Sequence, residues 1–275
     1  MRARPIAFAL LGLALVWAWL RFGVPLAALA SDGHSDVTAE VLFTSVLYVP
    51  MLLVAIGLGL VAGAPLGWPS HLSGRAFAGG LMIGLTALAL AISYCAIAGT
   101  LTRGSAAPVS AALLIGMAVI ACQVLAEEAL FRGYVQPLLV RGIGPVTGVL
   151  AAAAAFAVVH GIAGGADLIT IGNMMLGGVL FGALALRGGG IAAAVGAHLG
   201  WNMAEQIGVG LDPNPGTGAF GALLDLDLAG AARWGGSEAG LNASWAMSFA
   251  LVAAVIVAAW WPRADAVHAI KLRAA

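Results

Sequence analysis

The chain has 275 residues, of which 62% are hydrophobic and 9% charged; twelve basic and twelve acidic side chains give zero net charge, and the mean hydropathy is +1.03. A soluble domain is roughly 45–50% apolar and about 25% charged, so a water-soluble globule is excluded and a polytopic membrane protein is indicated. Zero net charge by itself says nothing about acidic or nucleic-acid partners; the lipid bilayer is the first expected partner, and no nucleic acid is expected.

A helix needs about 20 apolar residues to cross the hydrocarbon. On that ruler, spans are predicted near 6–29, 41–63, 76–99, 109–131 (running on toward Pro137), 146–163, 168–186, 190–208 and 244–261. The fold class is therefore all-α, a bundle of about eight transmembrane helices forming one integral-membrane domain over 1–275. Gly63-Ala64-Pro65, Gly144-Pro145 and Gly188-Gly189-Gly190 punctuate the joins. The one long connection, 209–243, is rich in glycine and carries Asp212, Asp225, Asp227 and Glu238.

The N-terminus admits two readings. Arg2 and Arg4, an apolar run and Ala28-Leu29-Ala30 resemble a cleaved leader. The length of the run, interrupted by Trp17, Trp19 and Arg21, fits an uncleaved first span, which is the expectation. Lys271 is the only lysine. With the heavy alanine and glycine usage, this points to a GC-rich bacterial genome. With the N-terminus inside, Arg2, Arg4, Arg75, Arg141, Arg187, Arg263, Lys271 and Arg273 fall on the inner side. Arg21, Arg103 and Arg233 fall outside. The positive-inside rule then places both termini in the cytoplasm, in a bacterial inner membrane. Cys95 and Cys122 sit in apolar segments and are expected to be buried, structural thiols.

Three polar signatures interrupt the apolar spans: Glu127, Glu128 and Arg132; Phe156 and His160; His198 and Asn202. Charged groups at membrane depth cost a few kcal/mol each, about 2.5–3.5 on the mildest scale. Glu128 and Arg132, Phe156 and His160, and His198 and Asn202 are each four apart, so each pair shares a helix face. Glu128 is expected to pair with Arg132. Glu127, about 100° away around the helix, lacks a local counter-ion and suits a general base. Phe156 should pack beside His160 and orient it. His198 and Asn202 offer the N–H donors that an oxyanion needs. Plainer readings stand beside these: a structural ion cluster, a packed histidine, and interhelical polar contacts. Glu205 reads as interfacial.

At about 1.5 Å per residue from the inner helix ends, His160 lies roughly 20 Å up, Glu127 roughly 15 Å and His198 roughly 12 Å. The three converge on one level between the midplane and the inner side.

In this order on successive helices, Glu-Glu-x-x-x-Arg, Phe-x-x-x-His and His-x-x-x-Asn resemble the CAAX-protease and bacteriocin-processing (CPBP, or Abi) family, which includes the type II CAAX prenyl endopeptidases. The resemblance covers 109–205; Gly188 replaces a threonine common in the family. It implies peptide-bond hydrolysis inside the membrane, on a membrane-associated protein or peptide. Glu127 and His160 would activate water, His198 and Asn202 would hold the oxyanion, and Glu128, Arg132 and Phe156 would support them. Family members have been treated both as metalloproteases and as metal-independent glutamate proteases. The expectation here is that no cofactor is required. The alternative is a Zn²⁺ held by Glu127, His160 and His198. Neither His-Glu-x-x-His nor Gly-x-Ser-x-Gly occurs. A transporter or carrier, or a non-proteolytic family member, would bury the same groups. A carrier would usually show an internal repeat, and none is evident.

Overall fold

The computed structural model describes residues 3–64, 73–104, 109–164, 167–188, 190–213, 218–236 and 240–260. Arg2, Arg263, Lys271 and Arg273 of the orientation argument lie outside them, as do Pro65, Gly189 and Glu238. The helices are α1 (Ala3–Ser31), α2 (Asp36–Val61), α3 (Ser73–Ala98), α4 (Ala112–Glu128), α5 (Gln136–Ile143), α6 (Pro145–Gly164), α7 (Leu168–Gly188), α8 (Ala192–Met203) and α9 (Trp245–Ala259). A π-helical segment, Ala129–Val135, fuses α4 and α5 into one rod, and a second, Ala204–Val209, extends α8. The chain is all-α, and its rods follow the predicted spans closely. Among the described residues, five are long and apolar enough to cross a membrane: α1, α2, α3, the continuous rod Ala112–Ile143, and α7. The protein is an integral membrane protein.

The first helix is packed into the bundle. Tyr134 Oη donates to the Phe8 carbonyl at 2.5 Å, and Trp19 Nε1 donates to the Leu47 carbonyl at 2.8 Å. A methyl group on Gly12 would run into the Tyr134 ring.

The tightest seam joins α3 to α8. Gly80 and Gly84 on α3 face the carbonyls of Ala193 and Ala197, while Gly196 and Gly200 on α8 face those of Phe77 and Leu81. Lipid tails are as apolar as leucine, so membrane helices gain little from hydrophobic burial against each other and associate through close packing of small residues. Reciprocal glycines let these two backbones touch and draw α8 into the middle of the bundle. The alanine run on α6 works similarly: Gly178 of α7 lies against Ala153, where an added Cβ would stand 2.8 Å from its Cα.

Two apolar clusters result. One gathers Leu88, Leu184, Trp201 and Leu251 from α3, α7, α8 and α9. The other gathers Leu130, Phe131, Tyr134, Leu138 and Phe156 around α1, α2 and the α4–α5 rod. The three polar signatures meet where these halves join.

Two short strands of the long connection pair with one that follows α3. β1 (Leu101–Arg103), β2 (Leu211–Asp212) and β3 (Leu226–Leu228) form a small sheet in the order β1-β3-β2. β1 runs antiparallel to β3, with Thr102 opposite Asp227; β2 runs parallel to it, with Asp212 opposite Asp227. A 3₁₀ turn at Gly218–Phe220 buries Phe220 against Gly116 of α4. We call this end of the bundle the cap face. Asp212 lies there beside Asp225 and Asp227, and desolvation, then repulsion by Asp227 and Asp225, raises its carboxyl above the ordinary range. Cys95 is buried, whereas Cys122 is half-buried, and both are free thiols.

Candidate active site

Glu127 and Glu128 end α4 immediately before the π-helical segment; both are buried, Glu128 completely. Arg132 lies inside that segment and is 3% exposed. The expected pair forms: Arg132 Nη1 donates to Glu128 Oε1 at 3.0 Å. Arg132 Nη2 reaches the Gly178 carbonyl at 3.3 Å. The guanidinium carbon lies 4.5 Å from the Phe156 ring centroid and 5.2 Å from that of Phe181. Aromatic faces and a carboxylate thus replace the water this cation would otherwise hold.

Glu128 has a second partner that spacing alone did not expose. His198 Nδ1 lies 2.9 Å from the same Oε1 atom. Phe181 stacks on the His198 ring, with centroids 4.6 Å apart and planes 15° apart. One carboxylate oxygen and one aromatic face therefore fix the third-motif imidazole from two directions. From the sequence, Glu128 is only the partner of Arg132, and Phe181 belongs to none of the three motifs. No local signal in the leucine- and glycine-rich run around Phe181 marks it.

His160 is held differently. Its Nδ1 meets the Phe156 carbonyl one turn back at 2.8 Å, and the Phe156 ring packs against it with centroids 4.1 Å apart. Phe156 braces the imidazole as expected, through its ring and its carbonyl. A backbone carbonyl only accepts, so His160 Nδ1 carries a proton and Nε2 is turned to the site.

Glu127 sits between the two imidazoles. Its Oε2 lies 3.7 Å from His160 Nε2 and 3.9 Å from His198 Nε2. Its neighbour on the same helix is neutral: Gln123, one turn earlier, donates to its Oε1 at 3.2 Å. His160 is the most open of the three, with 30% of its side chain exposed against 5% for Glu127. Asn202, one turn above His198, is half-buried and its side chain meets no protein partner among the described residues.

The three side chains converge, with Glu127 Oε2 3.7 and 3.9 Å from the two imidazoles, and α8 is packed inside the bundle from its first turn, every residue from Ile191 to Val195 being buried. Glu205, near the end of its span, is buried inside the protein and accepts from Trp201 Nε1 at 2.9 Å.

Three acceptor atoms, Glu127 Oε2, His160 Nε2 and His198 Nε2, can face one small volume, and each histidine is braced through Nδ1. That donor set fits a zinc ion, which takes carboxylate and imidazole ligands with outer partners on the far ring nitrogen. It equally fits one water that touches Glu127 and His160. Both distances exceed a direct hydrogen bond, yet one water beside the pair can contact both.

Residues 108–204 match the family model described as type II CAAX prenyl endopeptidase, Rce1-like. Over that segment the chain is similar to the type II CAAX prenyl endopeptidases. The match contains all seven motif residues, and its limits fall within a residue of the 109–205 stretch on which the motifs had suggested the resemblance. No curated protein and no solved structure matches the chain.

Proposed function

We propose that this protein is an intramembrane endopeptidase that hydrolyses a peptide bond of a membrane-associated protein or peptide. The observation that carries the reading is the placement of Glu127 Oε2 between two braced imidazoles, at 3.7 and 3.9 Å, within the family-matched segment.

A water beside Glu127 and His160 gives one proton to the carboxylate and directs the other toward His160 Nε2. Its oxygen lone pair is left to attack the scissile carbonyl carbon. As the new C–O bond forms, Glu127 holds the proton and the carbonyl oxygen becomes an oxyanion. His198 Nε2–H and the Asn202 amide donate to that oxyanion. Donation from both nitrogens of His198, to Glu128 and to the oxyanion, requires the imidazolium form. The Glu128 carboxylate and the oxyanion then balance Arg132 and the His198 imidazolium. Collapse breaks the C–N bond, and the proton on Glu127 passes to the departing amine.

The second reading is metal-assisted, and the shared orientation of the two Nε2 atoms favours it. Glu127, His160 and His198 would hold zinc, which when bound supplies Lewis acidity toward water and the carbonyl. The account adopted here needs no cofactor.

The arginine bias supports both termini in the cytoplasm of a bacterial inner membrane, with the cap face outside. The test is cleavage of a tagged peptide library by the purified protein in detergent. Discrete cleavage sites, lost in Glu127→Gln, support the endopeptidase. Uptake of a solute by proteoliposomes with the library left intact identifies a carrier instead.

A further inference from the structure

Hydrolysis consumes one water per bond, and the site lies among apolar helices. The stripe of α2 that faces the bundle changes character along its length. Its inner half, Met51, Ala55 and Gly59, is buried and apolar. Its cap-side half carries Glu40, Thr44 and Tyr48, one turn apart on the same face. Thr44 is 4% exposed, and Glu40 and Tyr48 are partly buried. Thr44 Oγ1 faces Glu40 Oε1 at 3.5 Å. Polar groups turned inward on a membrane helix are costly and mark pathways or sites; none of these three belongs to the motifs.

The lower end of this stripe packs beside the residues that flank Glu127. Tyr48 packs against the cluster that contains Ala126 and Leu130, which flank Glu127 and Glu128. It lies within electrostatic range of Glu127, Glu40 and Cys122. Its hydroxyl has no protein hydrogen-bond partner among the described residues. Across the seam, α4 contributes Cys122 and Gln123, both half-buried, and Gln123 Nε2 donates to Glu127 Oε1. Polar side chains therefore recur one turn apart from the cap-side end of α2 down to Tyr48, beside the cluster that flanks Glu127, and below Tyr48 the stripe closes with apolar side chains.

We propose that Glu40, Thr44, Tyr48 and Gln123 line a one-ended water track, which supplies the hydrolytic water to Glu127 from the cap face along the α2–α4 seam. The proposal rests on the endopeptidase reading for its purpose, but the track itself can be tested without activity. Its traffic is water, not net protons: at neutral pH the products are a carboxylate and an ammonium, so no proton is released. Tyr48 is a positioning residue that holds the last water of the track beside Glu127.

The experiment compares Thr44→Cys with Val49→Cys in a Cys95→Ala/Cys122→Ala background. Val49 is on a neighbouring turn of α2 but faces outward, 41% exposed. A charged, membrane-impermeant thiol reagent is applied to vesicles from each face in turn. The reagent needs an ionised thiol in water, so Thr44→Cys should react from the cap face at least about tenfold faster than Val49→Cys. Cys122, kept in a Cys95→Ala protein, gives the same readout without altering α2. Equal, slow reaction at all three thiols, or reaction from the opposite face only, overturns the track. Tyr48→Phe should lower turnover at least about tenfold with KM unchanged; unchanged turnover overturns its positioning role. Labelling that succeeds in a protein that cleaves no peptide sinks the endopeptidase reading and leaves the track standing.

Discussion

Glu128 gives the sharpest test of how the site is built, because one oxygen serves two partners. Oε1 accepts from Arg132 Nη1 at 3.0 Å and meets His198 Nδ1 at 2.9 Å, in a completely buried position. Glu128→Gln removes the charge and strands Arg132, which is 3% exposed. Breaking a buried ion pair from one side costs about 3–5 kcal/mol. It also removes the carboxylate that braces His198, and loss of such an orienting partner costs about 10–100-fold in function. A double variant separates the two effects. Arg132→Met puts an apolar side chain among Phe131, Phe156 and Phe181, so Glu128→Gln/Arg132→Met should recover most of the stability, since replacing both partners of a buried pair is often neutral. Activity should stay about 10–100-fold down, because His198 is still unbraced. Thermal unfolding in detergent and single-turnover cleavage provide the two readouts. Recovery of both stability and activity in the double variant would refute the bracing role and reduce Glu128 to a counter-ion.

Four further outcomes are expected. Glu127→Gln should abolish cleavage while leaving the melting temperature close to that of the parent; a large loss of stability would show that Glu127 is structural. Asn202→Ala should lower kcat about a hundredfold or more with a smaller change in KM, and weakened binding at unchanged kcat would place Asn202 on the ground-state substrate. A preparation found metal-free by elemental analysis should remain active; zinc at one per chain, required for turnover and lost in His160→Ala, would establish the metal-assisted reading. Asp212 has a raised carboxyl in the folded protein, so the stability it contributes is complete below its unfolded pKa and is lost as pH rises through the folded one. Asp212→Asn should therefore raise the melting temperature at neutral pH and leave it unchanged in acid, as a thermal scan across pH would show.

Much of the fold was legible because membrane helices announce themselves by length: the span of α7 and the rod from Ala112 as far as Pro137 follow from apolar runs, while its last turn to Ile143 does not. The motif pairs were legible because four-residue spacing fixes a shared face, as with Arg132 and Glu128. The Glu128–His198 contact was not, since it joins residues 70 positions apart and depends on which helix α8 packs against. That packing rests on backbone contact at Gly80, Gly84, Gly196 and Gly200, and glycines in an apolar run do not name their partners. The place of Glu205 near the end of a span was legible; its burial and its bond to Trp201 were not. The sheet of the cap escaped notice because its strands are two and three residues long and separated in sequence.

The central claim is that Glu127 activates water against a peptide bond inside the membrane. The direct measurement is cleavage of membrane-anchored reporter peptides by the purified protein in proteoliposomes prepared in ¹⁸O-water, read by mass spectrometry. The account predicts a new C-terminal carboxylate carrying one solvent oxygen, and no product from folded Glu127→Gln. Intact reporters with the parent protein, or equal product from Glu127→Gln, would contradict it.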